Sequence, residues 1–137
     1  MAGSLIARDE KTYLPKLQWL IYPATQMNMS HPSHTKYAEG YFLTRPLMNY
    51  FQGHYLKNKE DRKDWRASPL LASSLAGLPP ALIQTAGFDP LQDEAIAYAK
   101  RMNEEGSQAT HTHYEGMIHG FINLGGAIDK ATDCVNE

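Results

Sequence analysis

An aspartate and a histidine, Asp89 and His119, are the residues of this sequence best placed to do chemistry together. Each follows a run that reads as a strand: residues 81–86 before Asp89, and residues 110–115 before His119. A buried carboxylate that accepts a hydrogen bond from one imidazole nitrogen fixes the tautomer and leaves the other nitrogen as a base near neutral pH. Acyl transfer to water needs those two groups and a nucleophile. Asp89 before Pro90 also fits a helix N-cap that requires no chemistry, and the two roles are compatible. A second cluster, His111, His113 and Glu115, falls on one face of a strand and has metal-ligand residue types. An exposed strand face is built from the same residues, and neither a metal nor another cofactor is expected. His31 and His34 flank Pro32 and carry no further signal, and Cys134 near the end reads as incidental.

The elements that must position Asp89 and His119 follow from the pattern. Residues 1–10 look like the end of a helix, with Arg8 suited to its last turn. Residues 17–22 form an apolar run stopped by Pro23, which reads as a buried strand. Residues 24–66 are rich in Met, His, Tyr, Asn and Ser, too long for a simple connection and too aromatic for a disordered linker. They read as short helices forming a cap, with Tyr41, Phe42, Tyr50 and Phe51 as candidates for an acyl pocket. A helix follows Asp89, with Leu91, Ala95, Tyr98 and Met102 on its inward face and Gly106 as its stop. Trp19 and Tyr22 are also read as core. Residues 116–124 read as a loop holding His119, with a last short helix beyond. Strands alternating with helices predict an α/β fold with about three parallel strands, whose functional residues lie at the strands' carboxyl ends.

Composition narrows the class. The 137 residues, 42% apolar and 20% charged with a net charge of −2, suit one globular domain, or part of one, over residues 1–137. Mixed charge gives no reason to expect a nucleic-acid partner or an anionic membrane surface. One cysteine excludes a disulfide framework and fits a reducing, cytoplasmic setting, although a targeting segment upstream of Met1 would lie outside the sequence. No apolar run approaches the roughly 20 residues that span a bilayer.

Several motifs in order resemble one family. Ser68-Pro69-Leu70-Leu71-Ala72, Leu78-Pro79-Pro80-Ala81, Phe88-Asp89-Pro90-Leu91-Gln92-Asp93-Glu94 and Tyr114-Glu115-Gly116-Met117-Ile118-His119-Gly120-Phe121 are similar to the hormone-sensitive-lipase-like branch of the α/β-hydrolase fold. Ala7-Arg8-Asp9 and Leu20-Ile21-Tyr22-Pro23 extend the resemblance over nearly the whole chain. It implies a carboxylic-ester hydrolase, esterase or lipase, acting on small esters with short to medium acyl chains. The triad acid then falls on Asp89 and the base on His119. Gln92 stands where the family usually has Arg. The family's Gly-Asp-Ser-Ala-Gly-Gly nucleophile turn and His-Gly-Gly-Gly oxyanion segment are missing, and Ser4 lacks the Gly-x-Ser-x-Gly frame. By resemblance, the nucleophile would lie roughly two helical turns before Met1, and the chain would supply the last three strands of the family sheet. The expectation is a C-terminal portion, inactive alone, whose first strand edge pairs with the N-terminal half or with another copy. The alternative is an inactive fragment acting only through such association.

Overall fold

The computed structural model describes all residues, 1–137. The chain folds as helix α1 (Ala2–Asp9), strand β1 (Gln18–Ile21), helices α2 (Ser33–Lys36) and α3 (Arg45–Tyr55), strand β2 (Ala81–Phe88), helix α4 (Gln92–Glu104), strand β3 (Ala109–Ile118) and helix α5 (Asp129–Asn136). Single 3-10 turns at Lys59–Lys63, Pro69–Leu71 and Phe121–Leu124 punctuate the connections. The three strands form one sheet in the order β1-β2-β3, and both pairings are parallel. No helix is long and apolar enough to cross a membrane.

Alternation along β2 divides the molecule into two layers. Ala81 and Ile83 meet Leu5 of α1, Ala95, Tyr98, Ala99 and Met102 of α4, and Leu75 and Leu78 of the preceding loop. The inward face of α4 expected from spacing is therefore the core, apart from Leu91, which stands before the helix and is only partly buried. On the opposite face Ala86 packs with Phe121 and with Ala131 and Cys134 of α5, and Gln84 Nε2 donates to Cys134 O at 2.8 Å. Gly106, at φ +83°, provides the left-handed stop after α4.

Trp19 departs from expectation: it is 48% exposed rather than core. Its strand is an outer one, and α5 covers the sheet at β2 and β3. The indole lies along the uncovered flank, with Nε1 donating to Gln84 Oε1 at 2.7 Å. Tyr22 is half-buried at the rim of the second cluster. Helices and turns occupy much of 24–66, where Thr44 caps α3 by accepting from Leu47 N–H and Pro46 lies in its first turn.

The pairing of β2 with β3 carries one irregularity. Ala81↔Ala109 through Ala86↔Tyr114 keep one register, then Phe88 pairs with Ile118. The offset grows from 28 (114 − 86) to 30 (118 − 88), so Glu115, Gly116 and Met117 bulge opposite Gly87. A Cβ on Gly87 would lie 1.9 Å from Glu115 O. Only glycine admits that approach.

Two substitutions probe this core. Gly87→Ala should destabilise by about 3 kcal/mol, because a backbone oxygen must be displaced, and a lowered urea midpoint checks it. Tyr98 is fully buried, its hydroxyl has no hydrogen-bond partner, and burial pushes its pKa up to about 12. Tyr98→Phe should leave stability unchanged or raise it by about 1 kcal/mol in the same measurement.

Candidate active site

The register change decides what Asp89 faces. It follows β2 directly, and with the offset of 30 its opposite number is residue 119. His119 Nδ1 donates to Asp89 Oδ2 at 2.7 Å. Asp89 is wholly buried, while the His119 side chain keeps 20% exposure. The other carboxylate oxygen, Oδ1, accepts Leu91 N–H at 2.8 Å, and Asp89 O accepts Gln92 N–H at 3.2 Å. Asp89 thus closes a tight turn and is not the N-cap of α4, which begins at Gln92 with Leu91 in the cap position. The side chain is held between a turn amide and an imidazole, and Pro90 and Leu91 form that turn instead of helix.

Tyr22 fixes the ring from one side. Its centroid lies 4.3 Å from that of His119 with the planes at 52°, and its own backbone sits at φ +35°, a costly value for a bulky side chain. Burial, then the Cys134 and Asp89 charges, push the Tyr22 hydroxyl above its ordinary pKa. On the far side, Gly120 takes φ +84°, and a Cβ there would stand 3.2 Å from the Phe42 ring. His119 Nε2 has no protein partner, and the ring borders a cavity of about 430 Å³. Met27, Met29, Leu43, Met48, Phe51 and Leu91 supply most of its apolar wall.

Of the four aromatics expected at an acyl pocket, only Phe51 lines this cavity. Tyr41 stacks on Phe88 at 5.2 Å, Phe42 covers Gly120, and Tyr50, 61% exposed, packs on His54. The methionines that do the lining lie in a stretch without periodicity, so no sequence signal singled them out. No group of three or more His, Cys, Asp or Glu side chains is placed to hold a metal ion. His111 Nε2 and His113 Nδ1 instead share the buried Thr85 hydroxyl, at 2.8 and 2.9 Å.

A parallel α/β sheet with a carboxylate and an imidazole joined across adjacent strand ends is the architecture of the α/β-hydrolase fold, and a family model described as "alpha/beta hydrolase fold" matches residues 1–123. The chain belongs to that family, in its hormone-sensitive-lipase-like branch. It is 42% identical over 124 residues to the carboxylic ester hydrolase LipN of Mycobacterium tuberculosis, covering 87% of this chain and 33% of that protein. It is 35% identical over 133 residues to the ethyl acetate hydrolase of Pseudomonas putida, covering 97% and 42%. The solved structure of EstE1, a thermostable carboxylesterase from a metagenomic library, superposes with a TM-score of 0.94 at 39% identity, covering 98% of this chain and 47% of that one. The hyperthermophilic esterase from the archaeon Pyrobaculum calidifontis gives 0.93 at 36% identity, covering 98% and 45%. The chain therefore spans less than half the length of the relatives it matches.

Burial and then His113 lower the His111 pKa below its ordinary 6.5. The unfolded chain then binds more protons here than the folded one, so this contribution is present above pH 6.5 and is lost as pH falls through the lowered value. Urea unfolding from neutral to acidic pH should show wild type losing more stability than His111→Gln. Parallel pH dependence of the two would contradict the assignment.

Proposed function

We propose that this chain supplies the acid and base of a Ser-His-Asp triad in a carboxylic-ester hydrolase, with the serine and oxyanion donors coming from residues outside it. The observation that carries the reading is the 2.7 Å bond from His119 Nδ1 to a wholly buried Asp89. With Nδ1 donating, the lone pair of Nε2 faces the cavity, where a base must sit. In the reaction, a serine oxygen attacks the ester carbonyl while His119 Nε2 takes its proton. The imidazolium then returns that proton to the departing alkoxide, and water repeats the sequence on the acyl-enzyme. Asp89 holds the imidazole and stabilises its charged form. Residues 24–66 act as a cap whose inner side encloses a small, largely apolar ester, and no cofactor takes part. The single, buried free Cys134 fits a reducing, cytoplasmic setting.

The outer edge of β1 is where the nucleophile-bearing portion would pair. That edge has no strand partner within the chain, and Leu17 and Trp19 beside it are 55% and 48% exposed. The same exposed edge supports a second reading, in which the chain acts only by associating with another copy.

Joining this chain to the nucleophile-bearing portion of the Mycobacterium tuberculosis relative tests the first reading. The chimera should hydrolyse a short-chain p-nitrophenyl ester, and the chain alone should not. Asp89→Asn in the chimera should lower kcat by about 10⁴-fold. A variant keeping more than about a tenth of the rate would show that Asp89 does not serve the base.

A further inference from the structure

A second carboxylate–imidazole pair lies in the wall of the same cavity. Glu94, in the first turn of α4, and His34, in α2, are 0% and 1% exposed, and both border the cavity that His119 enters. Glu94 Oε2 and His34 Nε2 approach to 2.8 Å, but off the line of a well-directed hydrogen bond, and neither atom has another partner. His34 Nδ1 accepts His31 N–H at 3.2 Å, so the ring proton sits on Nε2, facing the carboxylate. The other Glu94 oxygen accepts the backbone N–H groups of Thr25 and, at 3.0 Å, Gln26. Thr25 Oγ1 in turn donates to Glu94 O at 2.9 Å. Just upstream in the same turn, Ser33 Oγ donates to Pro90 O at 2.7 Å and Ser33 N–H to Asp93 Oδ2 at 2.8 Å.

These bonds tie two points of the 24–66 excursion to the first turn of α4 and to the turn before it that carries Asp89. Ala24, Gln26 and Met27, beside the anchored amides, line the cavity. We propose that Glu94 and His34 are positioning residues that hold the cavity's inner wall at a set distance from His119, governing how well an ester is held and not how fast it is cleaved. The assignment rests on reading the cavity as the ester site, but the anchoring itself does not depend on that reading. Replacing Glu94 with Gln leaves one acceptor oxygen for two sets of donors, so its N–H₂ opposes either the His34 N–H or the Thr25 and Gln26 N–H groups, donor against donor, without changing volume. A buried carboxylate left without its partner is similarly costly when His34 becomes apolar.

Two measurements test the proposal. On the full chain, ¹⁵N NMR should show His34 protonated at Nε2 alone, and Glu94→Gln should speed amide exchange at Thr25 and Gln26 by about tenfold or more while β2 and β3 amides keep their protection. In the chimera, Glu94→Gln and His34→Leu should raise KM by about tenfold with kcat held within about threefold. His34→Gln, which keeps a donor towards Glu94, should retain near-wild-type KM. Unchanged exchange at Thr25 and Gln26, a wild-type ring protonated at Nδ1, or a fall in kcat at constant KM would each overturn it. An inactive wild-type chimera would remove the ester reading, and the exchange result would then decide the anchoring alone.

Discussion

A slide of two residues between β2 and β3 is the constraint on which the rest of the site depends. Had the early register continued, Asp89 would face Met117 (89 + 28); after the slide it faces His119 (89 + 30). The slide needs room for three residues of β3 opposite one of β2, and the backbone of Glu115 takes it from the space where a side chain on residue 87 would stand. Bulges redirect a strand at little cost where the partner can accept them. Here the acceptor is a single glycine two positions before the carboxylate, so the geometry of the strand pair and that of the hydrogen bond are one problem.

The turn between β2 and α4 works as the hub around that glycine. Within it Asp89 divides its oxygens between Leu91 N–H and His119 and Pro90 O takes Ser33 Oγ; in the first turn of α4 that follows, Asp93 takes Ser33 N–H and Glu94 takes Thr25 and Gln26. Carboxylates crowded this closely would repel one another in a dry interior. Each is instead met by N–H donors, and the positive end of the α4 dipole lies beside them. The acidic first turn is thus more than a complement to a helix dipole: with Asp89 just before it, it joins the excursion, the sheet and the His119 ring through one set of hydrogen bonds.

How much of this was legible in the sequence depended on whether the information was local. Pro23 and Gly106 marked element ends because one residue's backbone preference decided each, and the apolar run of 81–86 marked the body of β2, which continues to Phe88. The order of strands and helices then fixed a parallel sheet and placed Asp89 and His119 at its carboxyl ends. The slide at Gly87 was illegible, since it depends on how two strands meet, and Gly116 read as the start of a loop when β3 runs on to Ile118. Asp89 read as a helix cap because Asp-Pro is one in most settings; the pull of His119 and the Leu91 amide, visible only in three dimensions, delays the helix to Gln92. Trp19 read as core because an apolar run carries no sign of which flank a helix will cover. His34 and Glu94 gave no joint signal, lying far apart in sequence on elements that only tertiary packing unites.

The contrast between the two sides of the cavity bears on what kind of site this is. Around His119 the contacts are close and specific: a buried carboxylate, the ring of Tyr22, whose backbone is strained at φ +35°, and a left-handed Gly120 beneath Phe42. Strain of that kind costs on the order of 1–3 kcal/mol and persists only where surrounding packing over-determines it. The facing wall is made largely of Met27, Met29, Met48 and Leu43, and methionine is the apolar side chain most able to re-pack around different shapes. A strained, closely packed imidazole on one side of the cavity thus faces an adaptable apolar surface on the other. Such a soft wall holds its place only if it is hung from something better fixed, and the Thr25 and Gln26 amides, bound to the buried Glu94 carboxylate, are that support.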